Sequence, residues 1–308
     1  MSIREAPQPN YNDDIQLLVK EYELAIKRLE KEMNTLFIND FQRAQILITQ
    51  KNIEAILEEL NTGVTTWTST FMPSAVTEGI ATTLFSLSLV ESMKDARKMV
   101  QFSEINDLLV RAIVADTQDD LLQVTNNVSR KLRNAIRKGT GKSMRANLTQ
   151  GINGTQALKR DVLKEWKKDL GDALGTGIID KAGRRWKPAT YAEMVVRTKM
   201  LNAHIEATTN EALENGVQYA IVSSHNAPNA CRFHEGRIVK LDPNAPGDYP
   251  TIEELRNSGQ IFHPNCKHVI TPIRSLDELS EKRKKRTEEQ AELGKRALAI
   301  GGRNPLVS

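Results

Sequence analysis

From Ile15 to Ile136 apolar residues return at three- and four-residue steps, with no convincing stretch of strict alternation. A chain written this way folds as packed helices and not as sheet. Ile15, Leu18, Tyr22, Ile26, Leu29, Met33 and Leu36 make the first stripe, with Asn12 placed as N-cap and Asp13 and Asp14 in the first turn, where the helix dipole favours acids. Phe41, Ala44, Leu47, Ile48, Ile53, Ile56, Leu57 and Leu60 continue the pattern up to Asn61-Thr62-Gly63, which reads as a helix stop. Pro73 divides the next segment. Thr77 to Met93 is helical and apolar most of the way round, the pattern of a buried central helix. Ile105, Leu108, Leu109 and Ile113 predict one further helix, and Leu121 to Ile136 another. Aromatic residues are only 5% of the chain, which fits aliphatic helix packing better than large sheets.

Gly139, Gly141, Gly151 and Gly154 then loosen the chain, Ala157 to Leu170 predicts a helix, and Gly171, Gly175 and Gly177 form a second loose stretch. Beyond it the character changes. Ile178 to Trp186 reads as strand, tight turn, strand. Thr190 caps a long helix from Tyr191 to Glu214, ended by Gly216. Gln218 to Ser224 reads as a buried strand, followed by short strands at Ile238-Val239 and Val269 to Thr271, and residues 276–298 predict a charged helix. The expected fold is α+β and mostly α: a helical N-terminal half, then a small α+β module with a Cys/His loop region. The expected organisation is a helical domain at 1–150, a linker region at 151–177, the module at 178–275, and a charged helix and tail at 276–308.

Two cysteines and five histidines are present, and six of these seven residues fall between His225 and His268. So few cysteines exclude a disulfide scaffold. Cys231-Arg-Phe-His234 is followed after 28 residues by His263-Pro-Asn-Cys266-Lys-His268. Two knuckles of this type are how a chain gathers four thiolate and imidazole ligands around a tetrahedral Zn2+. The best four are Cys231, His234, Cys266 and one of His263 or His268. A bound metal would supply a loop-rich module with the folding free energy that its small core lacks. Two other readings stand beside it. In one, reduced cysteines pack as small apolar residues and the histidines hydrogen-bond to backbone. In the other, His263, Asn265 and His268 belong to a His-Asn-His nuclease site, which requires a helix after the hairpin.

Arg130, Lys131, Arg133, Arg137, Lys138, Lys142 and Arg145 follow one another with no acid between them, in a chain whose net charge is +4. Such a run either contacts nucleic-acid phosphates or forms a solvated helix face. No aromatic residue interleaves with it, so base stacking is not implied. Gly139-Thr-Gly-Lys-Ser143 resembles the end of a phosphate-binding loop, but Ile136 stands where the first glycine is required. Residues 1–11 are polar with Pro7 and Pro9 and show no signal-peptide core. The most apolar stretch, Ala81 to Val90, is interrupted by Thr82, Thr83, Ser86 and Ser88 and is far short of the ~20 residues of a membrane span. No membrane partner is expected.

Five stretches taken together, Asp180-Lys-Ala-Gly-Arg-Arg-Trp186, Tyr191-Ala-Glu-Met-Val-Val-Arg-Thr198, Ser223-Ser-His225, Cys231-x-x-His234-x-Gly236 and His263-Pro-Asn-Cys-Lys-His268, resemble the phage minor capsid protein 2 group within the wider Mu F-like head morphogenesis family. The resemblance covers about 178–273. It implies a non-enzymatic virion protein inside the phage head, made in the bacterial host cytoplasm. It also implies attachment to the portal protein and other head subunits, with packaged DNA as a neighbour. A metal-dependent nuclease or hydrolase acting on nucleic acid, or a DNA-binding module, is the alternative. The cofactor expected is a structural Zn2+ on the Cys/His cluster.

Overall fold

The computed structural model describes residues 3–38, 43–149, 156–180 and 183–307. Phe41, Gly151, Gly154, Lys181 and Ala182, and the side chains of Leu36, Ala44 and Arg145, lie outside the described residues. In chain order the elements are α1 (Asn12–Ile38), α2 (Arg43–Ser86), α3 (Met93–Met99), α4 (Glu104–Thr149), α5 (Gln156–Gly175), β1 (Ile178–Ile179), β2 (Arg185–Trp186), α6 (Pro188–Glu214), β3 (Tyr219–Val222), β4 (Ile238–Lys240), α7 (Ile252–Asn257), β5 (Ile270–Ile273) and α8 (Glu281–Ile300). The fold is mostly α with a small α+β part, as the periodicity predicts.

Two compact units divide these elements. One comprises Asn12–Ser69 and Asp116–Val196, the other Met1–Tyr11, Thr70–Ala115 and Arg197–Ser308. Each is assembled from separate stretches because α2, α4 and α6 each contribute residues to both. The linear organisation expected from composition and this division by compactness are therefore different partitions of the chain.

In the unit of Asn12–Ser69 and Asp116–Val196 the core follows the α1 stripe. Ile15, Leu18, Tyr22 and Leu29 are fully buried, together with Leu121, Val124 and Leu132 of α4. Trp67 donates its indole N–H to the carbonyl of Asp14 (2.7 Å), and the Tyr22 hydroxyl reaches the carbonyl of Leu121. Several expected breaks are absent. The stop at Asn61-Thr62-Gly63 is overridden because Leu57, Leu60, Val64 and Trp67 keep one buried stripe running through it. Burial of that stripe outweighs the ~1 kcal/mol penalty of one helical glycine. The two helices expected at 105–113 and 121–136 are one, α4, which runs on through Gly139 and Gly141 to Thr149. Gly139 is a packing position and not a hinge: a Cβ there would stand 2.4 Å from the buried indole of Trp166 on α5. Likewise α5 passes through Gly171 to Gly175.

In the other unit, α2 passes through Pro73 without ending at the proline and stops at Ser86, so the helix expected over Thr77 to Met93 is interrupted by turns at residues 87–92 before α3. Gly79 allows α2 to meet α6 at backbone distance, since a Cβ there would lie 2.4 Å from the carbonyl oxygen of His204. Two threonines stitch the crossing: Thr83 donates to the carbonyl of Thr208 and Thr208 to that of Gly79, both at 3.1 Å. The long predicted helix at 191–214 begins slightly earlier, with Pro188 in its first turn, a position whose missing N–H costs nothing. The three-stranded sheet has the order β4-β3-β5 and is antiparallel throughout, with Ala220 opposite Val239 on one side and Pro272 on the other. Leu87, Ile205, Val217, Val222, Val239, Leu255, Ile261 and Ile270 pack as one buried cluster beneath it.

Candidate metal centre

The register of the sheet gathers the Cys/His window. Val222 at the end of β3 faces Ile270 at the start of β5, and Ile221 faces Ile238 at the start of β4. The chain leaving β3 and the chains entering β4 and β5 therefore share one end of the sheet. Ser223 donates its N–H to the carbonyl of Val269, and Gly236 to that of Val222, which holds the loops there. In the loop before β4, Asn229 caps a 3-10 turn at Ala230–Phe233 by accepting from the Cys231 N–H. In the loop before β5, Cys266 donates its N–H to the carbonyl of His263, and Asn265 turns the chain at φ 63°, a conformation that asparagine tolerates well.

The result is a line of side chains. His263 Nε2 lies 3.3 Å from Cys231 Sγ, Cys231 Sγ lies 3.9 Å from Cys266 Sγ, and Cys266 Sγ lies 3.2 Å from His268 Nδ1. Cys231, Cys266 and His268 place their ligand atoms within 4.8 Å of one another, and all three are buried. His268 Nε2 meets Glu235 Oε1 at 3.1 Å. That oxygen also accepts the backbone N–H groups of His225 and Ala227, so the carboxylate is fixed. The exposed ring of His225 covers His268, with centroids 4.1 Å apart. His263 donates from Nδ1 to the carbonyl of Pro264 (2.9 Å), which leaves the Nε2 lone pair facing Cys231.

The electrostatics follow from these contacts. The hydrogen bond between the two sulfurs favours one thiolate at a time: it lowers the Cys266 pKa and raises that of Cys231. Burial alone would hold His268 neutral, but its hydrogen bonds to Cys266 and Glu235 outweigh burial and raise its pKa. Glu235 is held ionised, because the backbone donors and His268 together overcome its desolvation.

His234, expected among the first four ligands, is committed elsewhere. Its Nδ1 accepts from the Arg237 guanidinium (3.0 Å) and its Nε2 donates to Gln260 Oε1 (2.8 Å). Gln260 in turn donates to the carbonyls of Ala297 and Gly302. This buried chain ties the loop to the end of α8, and burial pushes the His234 pKa down to about 4, so both ring nitrogens serve as neutral hydrogen-bonding groups. The structure gathers Cys231, Cys266 and His268 into one group, with His263 beside Cys231 and His234 turned away. Glu235 and Gln260, which decide the roles of the two buried histidines, carry no mark in the spacing pattern. The nuclease reading lacks its frame: His268 leads directly into β5, which pairs with β3, where a helix would be needed.

The basic run lies along α4 and is largely paired. Arg133 pairs with Glu54 (2.9 Å), Lys138 with Asp169 (3.0 Å) and Lys142 with Glu165, while Lys131 donates to the carbonyl of Thr176. Arg130 and Arg137 bond to the neutral side chains of Asn127 and Asn134, and the side chain of Arg145 lies outside the described residues. Residues 139–143 continue the helix, so no backbone cradle for a phosphate forms there. Among the described residues no helix is long and apolar enough to cross a membrane.

Against known proteins, the chain matches the family described as phage minor capsid protein 2 over residues 22–298. It is similar to a "Structural protein" of Lactococcus phage LL-H, 27% identical over 150 residues. That match covers 46% of this chain and 39% of the relative, so the chain spans about two-fifths of the relative it matches. No solved structure matches.

Proposed function

The chain belongs to the phage minor capsid protein 2 family, and from that membership we propose that it is a non-enzymatic structural component of the phage virion, held inside the head near the portal and facing packaged DNA. The family match over residues 22–298 carries the reading, because it takes in most of both compact units and not the Cys/His module alone. The relative named as a phage structural protein supports the structural part of this reading. In this reading the helical segments dock on portal or other head subunits, and the compact module serves as a rigid head. Arg130 and Arg137, two turns apart on one face of α4 and bonded to neutral amides, offer guanidinium groups to DNA phosphates. Their neighbours in the run, Arg133, Lys138 and Lys142, are already engaged by acids, so contact with DNA is weak and salt-sensitive.

The test is recovery of the chain with portal protein from assembled, purified heads, followed by chemical cross-linking in DNA-filled and empty heads. The expected result is retention in heads and cross-links to portal in both, with cross-links to DNA only in filled heads. Absence of the chain from assembled heads would overturn the reading.

A further inference from the structure

We propose that Cys231 Sγ, Cys266 Sγ, His263 Nε2 and His268 Nδ1 form a structural Zn2+ site that clamps the loop before β4 to the loop before β5. The proposal stands on the local geometry alone and does not depend on the virion reading.

Tetrahedral zinc with two thiolates and two imidazoles has sulfur–sulfur edges of about 3.8 Å and sulfur–nitrogen edges of about 3.5 Å, from bond lengths near 2.3 and 2.05 Å. Three of the six edges can be compared directly: 3.9 Å for the two sulfurs, 3.3 Å for Cys231 with His263, and 3.2 Å for Cys266 with His268. Cys231, Cys266 and His268 form the compact group, with ligand atoms within 4.8 Å of one another, and His263 adjoins it through Cys231. The groups behind the ligands are equally informative. Metal-binding imidazoles usually donate their second N–H to a carboxylate or a backbone carbonyl, which fixes the tautomer and aims the free lone pair. His268 has Glu235 in that place and His263 has the carbonyl of Pro264. Glu235 is itself locked by two backbone N–H groups. A hydrogen-bonded thiol pair has no need of this arrangement on both sides.

The donor set selects the ion. Two thiolates and two imidazoles suit Zn2+, and two thiolates neutralise its charge in a buried place. The location explains the need. Between β3 and β5 the chain holds only β4, the six-residue α7 and a 3-10 turn, so regular hydrogen bonding fixes little of this end of the module. A metal joining residues 231 and 266 supplies the missing constraint.

The experiment uses the full chain, reduced and purified without a polyhistidine tag. Elemental analysis is expected to find close to one zinc per chain. Replacement by Co2+ is expected to give the intense visible d–d bands of a tetrahedral site together with near-ultraviolet thiolate-to-cobalt charge transfer, a readout that needs no mutation. His263→Ala removes a half-exposed side chain and is expected to keep the fold while weakening Zn2+ binding by ~10–100-fold in competition with a chromophoric chelator; Glu235→Gln is expected to weaken it similarly. His234→Gln is expected to retain stoichiometric zinc. Three results would each overturn the proposal. The first is a reduced chain that holds no zinc and gives no cobalt absorption on titration. The second is a Cys231–Cys266 disulfide in protein handled without oxygen. The third is loss of metal in His234→Gln with retention in His263→Ala.

Discussion

At the scale of single residues, the chain's most consequential choices are where it buries imidazole. His204 on α6 is fully buried; its Nδ1 shares a hydrogen bond with the Tyr11 hydroxyl at 3.1 Å, and its Nε2 has no partner among the described residues. Burial pushes its pKa down to about 4, only partly countered by the charge of Glu78. The unfolded chain, with a histidine pKa near ~6.5, binds the proton first as the pH falls. The contribution of neutral His204 is therefore complete above about pH 6.5 and is lost between there and pH 4, to a total of up to about 3 kcal/mol. His204→Gln should flatten the fall in unfolding free energy between pH 7 and pH 5, measured by urea titration at each pH. Parallel curves for the two proteins would show that His204 does not titrate in this way. Clustering of the Cys/His residues was legible in the sequence, which left His263 and His268 as alternatives for one place beside Cys231, His234 and Cys266. The exclusion of His234 was not, because it depends on Arg237 and Gln260, which reach it only through the fold.

Among elements, helix identity was legible and helix extent was not. Most of the apolar positions read from the sequence on the described residues lie on helices, but Gly63, Pro73 and Gly139, read as punctuation, sit inside α2 and α4, and the helix expected over Thr77 to Met93 ends at Ser86. Local propensity loses at these places because burial along a long stripe, or close approach of another helix, is worth more than one unfavourable residue. Gly79 makes the competition measurable. At a solvated site in mid-helix, glycine to alanine stabilises by about 1 kcal/mol. Here the added Cβ would stand 2.4 Å from the His204 carbonyl oxygen and 2.9 Å from the Ala207 Cβ. Backbone cannot swing aside as a side chain can, so the helices must separate, stretching the Thr83 and Thr208 hydrogen bonds. Gly79→Ala should thus destabilise by about 1–3 kcal/mol, the usual cost of overpacking, in thermal or denaturant melts. A rise in stability would mean that the crossing has room for a methyl group and that the close approach at Gly79 does not constrain it.

Over the whole molecule, compactness is discontinuous in sequence, and this governs how the chain can be cut. The compact unit that contains the sheet also contains Thr70–Ala115. Leu87 from the end of α2 belongs to the same buried cluster as Val222, Cys231 and Ile270. Arg274 donates to the carbonyl of Leu87, and Asn210 donates to Asn106. Ala203, Ala207 and Thr208 on α6 are fully buried, and Gly79 of α2 packs against Ala207 and Thr208. A fragment of residues 178–308 holds all the chemistry of the Cys/His window but lacks that wall. It should therefore expose the α6 face and the cluster around Leu87, melt without a cooperative transition and bind a hydrophobic dye. Joining residues 70–115 to residues 197–308 through a flexible linker should restore a cooperative melt, because the linker replaces connectivity while the packing is supplied intact. Cooperative unfolding of the 178–308 fragment close to the temperature of the full chain would show instead that the linear division by composition is the physical one.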